Sequence, residues 1–194
     1  AFIKVQDGCN QFCSYCIIPF TRGRVRSRKM ENIMEEVRNL AASGYKEIVL
    51  TGIHLSSYGL DFLDESYNKR MEKLTNTCES DEEFVTKNDL LCLIENIAGI
   101  DGVERVRIGS LEPRIIKENF IKSLSKIEKF CPHFHLSLQS GCDKTLKSMN
   151  RKYTADEFFE GVKLIRKYFD SPAVTTDIIV GFPGETKKDF EESK

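Results

Sequence analysis

Short apolar stretches alternate along the chain with longer segments whose apolar residues recur at helical spacing. The short stretches are rich in β-branched residues and predict strands at residues 2–6, 47–51, 105–109, 133–138 and 173–180. Strands that alternate with helices are typical of βα units and a parallel sheet. Because their crossovers are right-handed, we expect the sheet to curl into a partial (β/α) barrel of about five units.

Two of the predicted helices carry clear end signals. The first has Ile33, Val37 and Leu40 on one face and should end at Gly44. The other should begin at Thr154, where Glu157 completes a capping box. Further helical patterns lie at 90–97 and 115–124, so each predicted strand after the first follows a helix.

The loops after the strands contain the candidate functional residues. Sites in parallel α/β folds gather at the carboxyl ends of the strands. This rule places residues 6–24, 52–59, 110–113, 139–142 and 181–186 around one mouth. By contrast, residues 61–87 are polar and aperiodic and predict a surface insertion, in which Cys78 has no expected role.

Composition indicates one globular domain. The 194 residues are 40% hydrophobic and 30% charged. They contain neither a signal peptide nor an apolar run long enough to span a membrane, so we expect a cytoplasmic protein without membrane contact. Both ends interrupt a predicted element, and we therefore expect a piece of a longer protein.

The seven cysteines are expected to be reduced, since no secretory signal is present. Cys9, Cys13 and Cys16 have the spacing C-x3-C-x2-C directly after the first strand. Three thiolates on one loop can bind three irons of a cubane cluster and leave the last iron open to a small molecule. Two alternatives stay open, namely packed core cysteines and a zinc site completed by Cys131, His133 or His135.

The cysteine segment resembles the signature of radical S-adenosylmethionine (SAM) enzymes of the methylthiotransferase family. The resemblance rests on Tyr15 before the last cysteine, on the Ile-Ile-Pro-Phe-Thr-Arg-Gly sequence at 17–23, and on Arg-Ser-Arg at 26–28. It implies a [4Fe–4S] cluster on the three cysteines, whose open iron binds SAM. It also implies a radical SAM core over residues 1–194, interrupted at 61–87 and truncated at its carboxyl end.

Residues 133–141, 147–154 and 176–186 resemble further motifs of this family. The resemblance implies contacts to SAM from residues on the rim of the mouth: Tyr15, Gly52, Glu112, Ser137, Gln139, Arg151 and Asp177. It implies no catalytic side chain beyond the cluster ligands. From the residues alone, Arg151 could equally clamp a carboxylate or lie on the surface, and His133 and His135 are better explained as hydrogen-bonded interior histidines. For His54 we expect a structural or solvated role.

The sequence Gly-Ser-Leu-Glu-Pro at 109–113 resembles the family branch that acts on threonylcarbamoyl-adenosine in tRNA. Other branches act on isopentenyl-adenosine or on a ribosomal protein. The resemblance implies that a methylthio group is installed at C2 of adenosine 37 in the anticodon loop. That reaction needs an electron donor and a second SAM as methyl donor.

Four basic residues follow the cysteine loop, and they suit an RNA backbone about as well as solvent: Arg22, Arg24, Arg26 and Arg28. Full-length family members add an N-terminal domain with a second [4Fe–4S] cluster and a C-terminal RNA-binding domain. Since both lie outside these residues, we expect the segment alone not to modify tRNA. A non-catalytic, metal-stabilised RNA-binding module is the alternative from another class.

Overall fold

The computed structural model describes residues 1–62 and 89–194. The predicted insertion at 61–87 therefore lies outside the described residues except for its first two positions, and so does Cys78.

Six strands are present in the described residues: β1 (Phe2–Asp7), β2 (Arg26–Ser27), β3 (Glu47–Gly52), β4 (Arg105–Ile108), β5 (His133–His135) and β6 (Ala173–Thr175). One sheet has the order β2-β1-β3-β4, in which β1, β3 and β4 are parallel. A second sheet pairs β5 with β6 in parallel. The short strand β2 pairs with β1 in the antiparallel sense and was not expected from the sequence.

Backbone contacts between β4 and β5 join the two sheets. The Leu111 N–H donates to the His135 carbonyl at 2.9 Å, and a parallel bridge pairs Val106 with Phe130. The parallel strands thus form one arc in the order β1-β3-β4-β5-β6, which confirms the predicted partial (β/α) barrel.

Strands β5 and β6 are shorter than predicted because a side chain replaces the backbone hydrogen bonds between them. The Thr176 hydroxyl accepts the Leu138 N–H at 3.1 Å and donates to the Leu136 carbonyl at 2.5 Å. Regular pairing therefore stops at His135 and Thr175, although backbone contact continues to a bridge between Gln139 and Ile178.

The described helices are α1 (Ile18–Thr21), α2 (Met30–Ala42), α3 (Asp89–Ala98), α4 (Glu118–Leu124), α5 (Asp143–Ser148), α6 (Ala155–Tyr168) and α7 (Lys187–Glu192). Helix α2 ends as predicted, with Gly44 at φ +90°. The capping box of α6 is formed by Thr154 and Glu157, also as predicted. Among the described residues, no helix has the length and apolarity needed to cross a membrane.

The core lies between the arc and its helices. Ile3, Val5, Ile48 and Leu50 from the central strands are fully buried, and they belong to the same cluster as Val37 of α2. Burying an aliphatic side chain of this size stabilises the fold by about 1.5–3 kcal/mol. The carboxyl ends of β1 and β3, where the candidate site begins, are therefore anchored by packing.

Candidate active site

The predicted mouth is formed by hydrogen bonds between successive strand ends. At the exits of β1 and β3, the Gln6 side-chain oxygen accepts the His54 N–H at 2.8 Å. The Glu112 N–H, after β4, donates to Ser56 Oγ at 2.9 Å. These contacts bring the segments after the first three parallel strands to one edge of the arc.

The cysteine loop begins at a glycine that cannot be replaced without a clash. Gly8 has φ +71°, and a Cβ at this position would lie 2.0 Å from the Arg24 carbonyl oxygen. The next residue, Cys9, donates its N–H to the Gly23 carbonyl at 3.1 Å. The loop therefore closes on the segment that leads into β2.

The three cysteines of the loop interact electrostatically. Cys9 is buried, and its sulfur accepts the Gln11 N–H at 3.4 Å. Burial raises the pKa of the Cys9 thiol, and repulsion from Cys13 and Cys16 raises it further. The three thiols thus lie on one loop, with Cys9 buried and Cys13 and Cys16 half-buried.

This donor set fits an iron–sulfur cubane by its chemistry, because each thiolate of a cubane binds a different iron and the sulfurs need not meet at one point. Within residues 1–62 and 89–194, no three His, Cys, Asp or Glu side chains are arranged to bind a single metal ion. The zinc site considered from the sequence, with Cys131, His133 or His135, is therefore not assembled in the described residues.

The end of α5 supports the cysteine loop from outside. Ser14 donates its N–H to the Met149 carbonyl at 3.1 Å and its hydroxyl to the Ser148 carbonyl at 2.9 Å. The Asn150 side chain donates to the Phe12 carbonyl at 2.8 Å, with its own backbone at φ +59°. This role of Asn150 was not predicted from the sequence, although asparagine is a favoured left-handed residue just after a helix.

Arg151 lies against the cysteine loop. Its Nη1 donates to Cys13 Sγ at 3.3 Å, its Nη2 to the Ser137 carbonyl at 3.1 Å, and its Nε to the Tyr153 hydroxyl at 2.9 Å. The surface interpretation of Arg151 is wrong, since the half-buried guanidinium is hydrogen-bonded to the protein through all three nitrogens. Its predicted contact with SAM stays a prediction.

Tyr15 and Gly52, two predicted SAM contacts, lie on the rim. The Tyr15 ring is 40% exposed and meets Phe182 edge-on at 6.2 Å between centroids. This contact brings the segment after β6 to the cysteine loop. A Cβ on Gly52 would lie 2.9 Å from Gln6 Oε1, so the absence of a side chain there is explained by the neighbouring strand end.

Glu112, which is buried, and His54, which is half-buried, lie beside this rim within electrostatic reach of each other. Glu112 is 4% exposed, and its Oε1 accepts Arg114 Nε at 2.6 Å. In the described part of the chain, neither Glu112 Oε2 nor His54 Nε2 has a hydrogen-bond partner. Burial lowers the pKa of His54 to about 4 although Glu112 acts to raise it. His54 Nδ1 lies 2.5 Å from Ser57 Oγ, as expected for a structural histidine.

The segment after β5 contributes mainly its backbone. The Ser137 carbonyl is occupied by Arg151, and Gln139 has φ +72° with its N–H on the Asp177 carbonyl at 3.0 Å. The Asp177 side chain is 76% exposed and lies 3.4 Å from His135 Nε2. Their side-chain contacts with SAM stay predictions.

The two histidines of the His-x-His pair each meet only part of the prediction, since His135 is hydrogen-bonded but its side chain is 25% exposed. His135 Nδ1 lies 3.0 Å from the Thr175 hydroxyl. The buried Nδ1 of His133 has no hydrogen-bond partner among the described residues, and burial lowers the pKa of this ring.

The four arginines after the cysteine loop divide into two groups. Arg22, Arg24 and Arg26 are exposed, and Arg24 lies over the Phe12 ring at 4.5 Å. Arg28 is half-buried and pairs with Glu36 at 2.6 Å. Three arginines are thus accessible to a polyanion, whereas Arg28 is held against α2.

Known proteins resemble this chain in sequence and in fold. A family model described as the Radical SAM superfamily matches residues 3–194. A "tRNA-2-methylthio-N(6)-dimethylallyladenosine synthase" from Clostridium botulinum is 43% identical over the whole chain, which covers 38% of that protein. One of the same name from a Thermoanaerobacter strain is also 43% identical, with 36% of its length covered. The chain therefore spans less than two fifths of the relatives it matches.

Solved structures share the fold at low identity. The radical SAM methyltransferase TsrM from Kitasatospora setae, with cobalamin and a [4Fe-4S] cluster bound, superposes with a TM-score of 0.62 at 17% identity, over 97% of this chain and 32% of its own. Methylornithine synthase superposes with a TM-score of 0.60 at 14% identity, over 100% of this chain and 48% of its own. Both carry the partial-barrel architecture described above.

Proposed function

Because this chain belongs to the radical SAM superfamily, we propose that it is the catalytic core of a tRNA methylthiotransferase. The observation that carries the proposal is the cysteine loop, closed by Gly8 and supported by Asn150 at the carboxyl edge of the strand arc. Relatives named tRNA-2-methylthio-N(6)-dimethylallyladenosine synthase support it, because they are 43% identical in sequence over the whole of this chain.

Cys9, Cys13 and Cys16 would hold the [4Fe–4S] cluster, and SAM would lie across the rim near Tyr15. When bound, this pair supplies a 5′-deoxyadenosyl radical by one-electron cleavage of SAM. The chain's own residues hold and orient it. Gln6 links the strand ends that carry the cysteine loop. Arg151 places its positive charge next to the Cys13 sulfur. Glu112 presents a buried carboxylate oxygen without a hydrogen-bond partner in the described residues.

For the substrate we propose an N6-dimethylallyl (isopentenyl) adenosine in tRNA, at anticodon-loop position 37. The names of the relatives support this choice. So does the surface, because Ile17, Phe20 and Val180 beside the cysteine and β6 loops are at least 63% exposed and suit an apolar prenyl group. Arg22, Arg24 and Arg26 would contact the RNA phosphates.

Threonylcarbamoyl-adenosine is the second candidate. It is favoured by the Ser-Leu-Glu-Pro sequence at 110–113, in which Glu112 is buried next to His54. The two substrates differ in charge, since the threonylcarbamoyl group carries a carboxylate and the dimethylallyl group is apolar.

The test uses the full-length protein, reconstituted anaerobically with iron and sulfide and supplied with SAM and a chemical reductant. It is assayed on tRNA carrying either modification, and nucleosides and 5′-deoxyadenosine are measured by mass spectrometry. We expect methylthiolation of the dimethylallyl tRNA. If only the threonylcarbamoyl tRNA gives methylthiolated product, the proposed substrate is wrong but the proposed methylthiotransferase reaction stands.

Cys13→Ala is the control and should form no 5′-deoxyadenosine. If the wild-type protein also forms none, and binds zinc without visible absorbance, the enzymatic proposal fails in favour of the RNA-binding module. Residues 1–194 alone should give no methylthiolated tRNA.

A further inference from the structure

Cys13 receives a charged hydrogen-bond donor. Arg151 Nη1 lies 3.3 Å from its sulfur. Cys9, by comparison, accepts a backbone N–H, from Gln11 at 3.4 Å. A guanidinium differs from a backbone amide because it carries a full positive charge at all accessible pH values.

The guanidinium is held from the opposite side by the end of the β5 segment. Its Nη2 donates to the Ser137 carbonyl, and its Nε donates to the Tyr153 hydroxyl. The Tyr153 ring is 5% exposed and stacks against the guanidinium at 4.9 Å, while its hydroxyl donates to the Leu138 carbonyl at 2.7 Å. The charge is therefore fixed in place by residues outside the cysteine loop.

We propose that Arg151 is a positioning residue that raises the reduction potential of the cluster held by Cys9, Cys13 and Cys16. Reduction adds one negative charge to the cluster and its thiolates. A fixed cation with an N–H···S hydrogen bond stabilises that reduced form more than the oxidised form. The proposal rests on the proposed cluster site and is independent of the RNA substrate.

The experiment is a redox titration of the reconstituted full-length protein, without SAM or tRNA. The cysteines of the expected N-terminal cluster are replaced by alanine in every protein compared, so that the electron paramagnetic resonance signal comes only from the cluster beside Arg151. Arg151→Gln should favour the oxidised form at least tenfold, a shift of about 59 mV to more negative potential for one electron. Arg151→Lys keeps the charge without the planar fork and should fall between Arg151→Gln and wild type. Arg166→Gln makes the same change on the exposed face of α6 and should leave the potential unchanged.

A wild-type potential in Arg151→Gln, at full iron content, would overturn the proposal and leave the proposed function intact. Absence of any cluster signal in the wild-type protein would instead sink the proposed function. If Arg151→Gln does not hold a cluster, Tyr153→Phe decides, because it removes only the hydroxyl that orients Arg151. We expect a smaller shift in the same direction, and a wild-type potential in that variant would refute the role.

Discussion

The Gln6 side-chain oxygen accepts the backbone N–H of His54 at 2.8 Å, across the exits of β1 and β3. The same amide donates to the carbonyls of Asp7 and Gly8, each at 2.7 Å. Gln6 is 1% exposed, and its bond to the Gly8 carbonyl is buried. One side chain thus joins the start of the cysteine loop to the neighbouring strand end.

Replacing Gln6 should destabilise the fold. Gln6→Met keeps the length of the side chain but leaves three backbone groups, one buried and two partly buried, without their partner. We expect this to cost about 2–4 kcal/mol in the free energy of unfolding. Urea denaturation under reducing conditions measures it. Asn39→Gln, on the exposed face of α2, should change the free energy by less than about 0.5 kcal/mol. A similar small change in both variants would contradict the bridging role.

Two glycines with similar backbone angles should respond differently to alanine. At Gly181 (φ +75°) the Cβ of an alanine would meet no atom within 4 Å. Gly181→Ala should therefore lower the free energy of unfolding by about 1–2 kcal/mol, from the left-handed backbone conformation alone. Gly8→Ala (φ +71°) adds a clash with the Arg24 carbonyl, so the loop must move. We expect a loss larger by at least about 2 kcal/mol, with reduced iron binding on reconstitution. Equal losses would show that the loop adapts freely.

Asn150 should separate the effect of a hydrogen bond from that of backbone conformation. Asn150→Gly keeps the φ of +59° and loses the side-chain bonds to the Phe12 and Gln11 carbonyls and to the exposed Lys152 ammonium. Of these, the bond to Phe12 should dominate the loss, at about 1 kcal/mol. Asn150→Ala also has to adopt a left-handed conformation and should cost about 1–2 kcal/mol more. Denaturation curves of the two variants give the difference directly. If the glycine variant is the less stable of the two, the assignment of the φ cost is wrong.

His54 should make stability depend on pH in acid. Burial lowers its pKa to about 4 from the usual 6.5, so the unfolded chain takes up the proton first as pH falls. Stability is therefore full above pH 6.5 and declines between pH 6.5 and pH 4, by on the order of 2–3 kcal/mol. The difference between wild-type and His54→Asn unfolding curves isolates this contribution, since the carboxylates are common to both. If the free energies of unfolding of the two proteins change with pH in parallel, His54 makes no such contribution.

Local signals in the sequence were enough to predict α2 and α6, whereas the helix predicted at 115–124 begins only at Glu118. The spacing of Ile33 and Val37 and the pair Thr154 and Glu157 act within a few residues of one another, and α2 and α6 formed as predicted. The predicted ends of β5 and β6 were wrong because hydrogen bonds of the Thr176 side chain replace the backbone pairing there. Strand β2, with two residues, is too short to show any periodicity.

The site was predictable where its chemistry lies in one segment. The spacing of Cys9, Cys13 and Cys16 marks the loop without any knowledge of the fold. The supporting residues were missed because their partners are distant in the chain, as with Asn150 and Phe12, or because their role depends on burial, as with Gln6. The 110–113 sequence pointed to one substrate branch, whereas the names of the relatives favour another.

The contact between Asn150 and Phe12 joins residues 138 positions apart. During synthesis, the cysteines leave the ribosome long before the segment that holds them in place. Contacts of such long range form slowly. Until then the thiols are on an unsupported strand end, open to oxygen and to adventitious metals. We therefore expect the loop to hold an inorganic cofactor securely only after synthesis has passed Asn150.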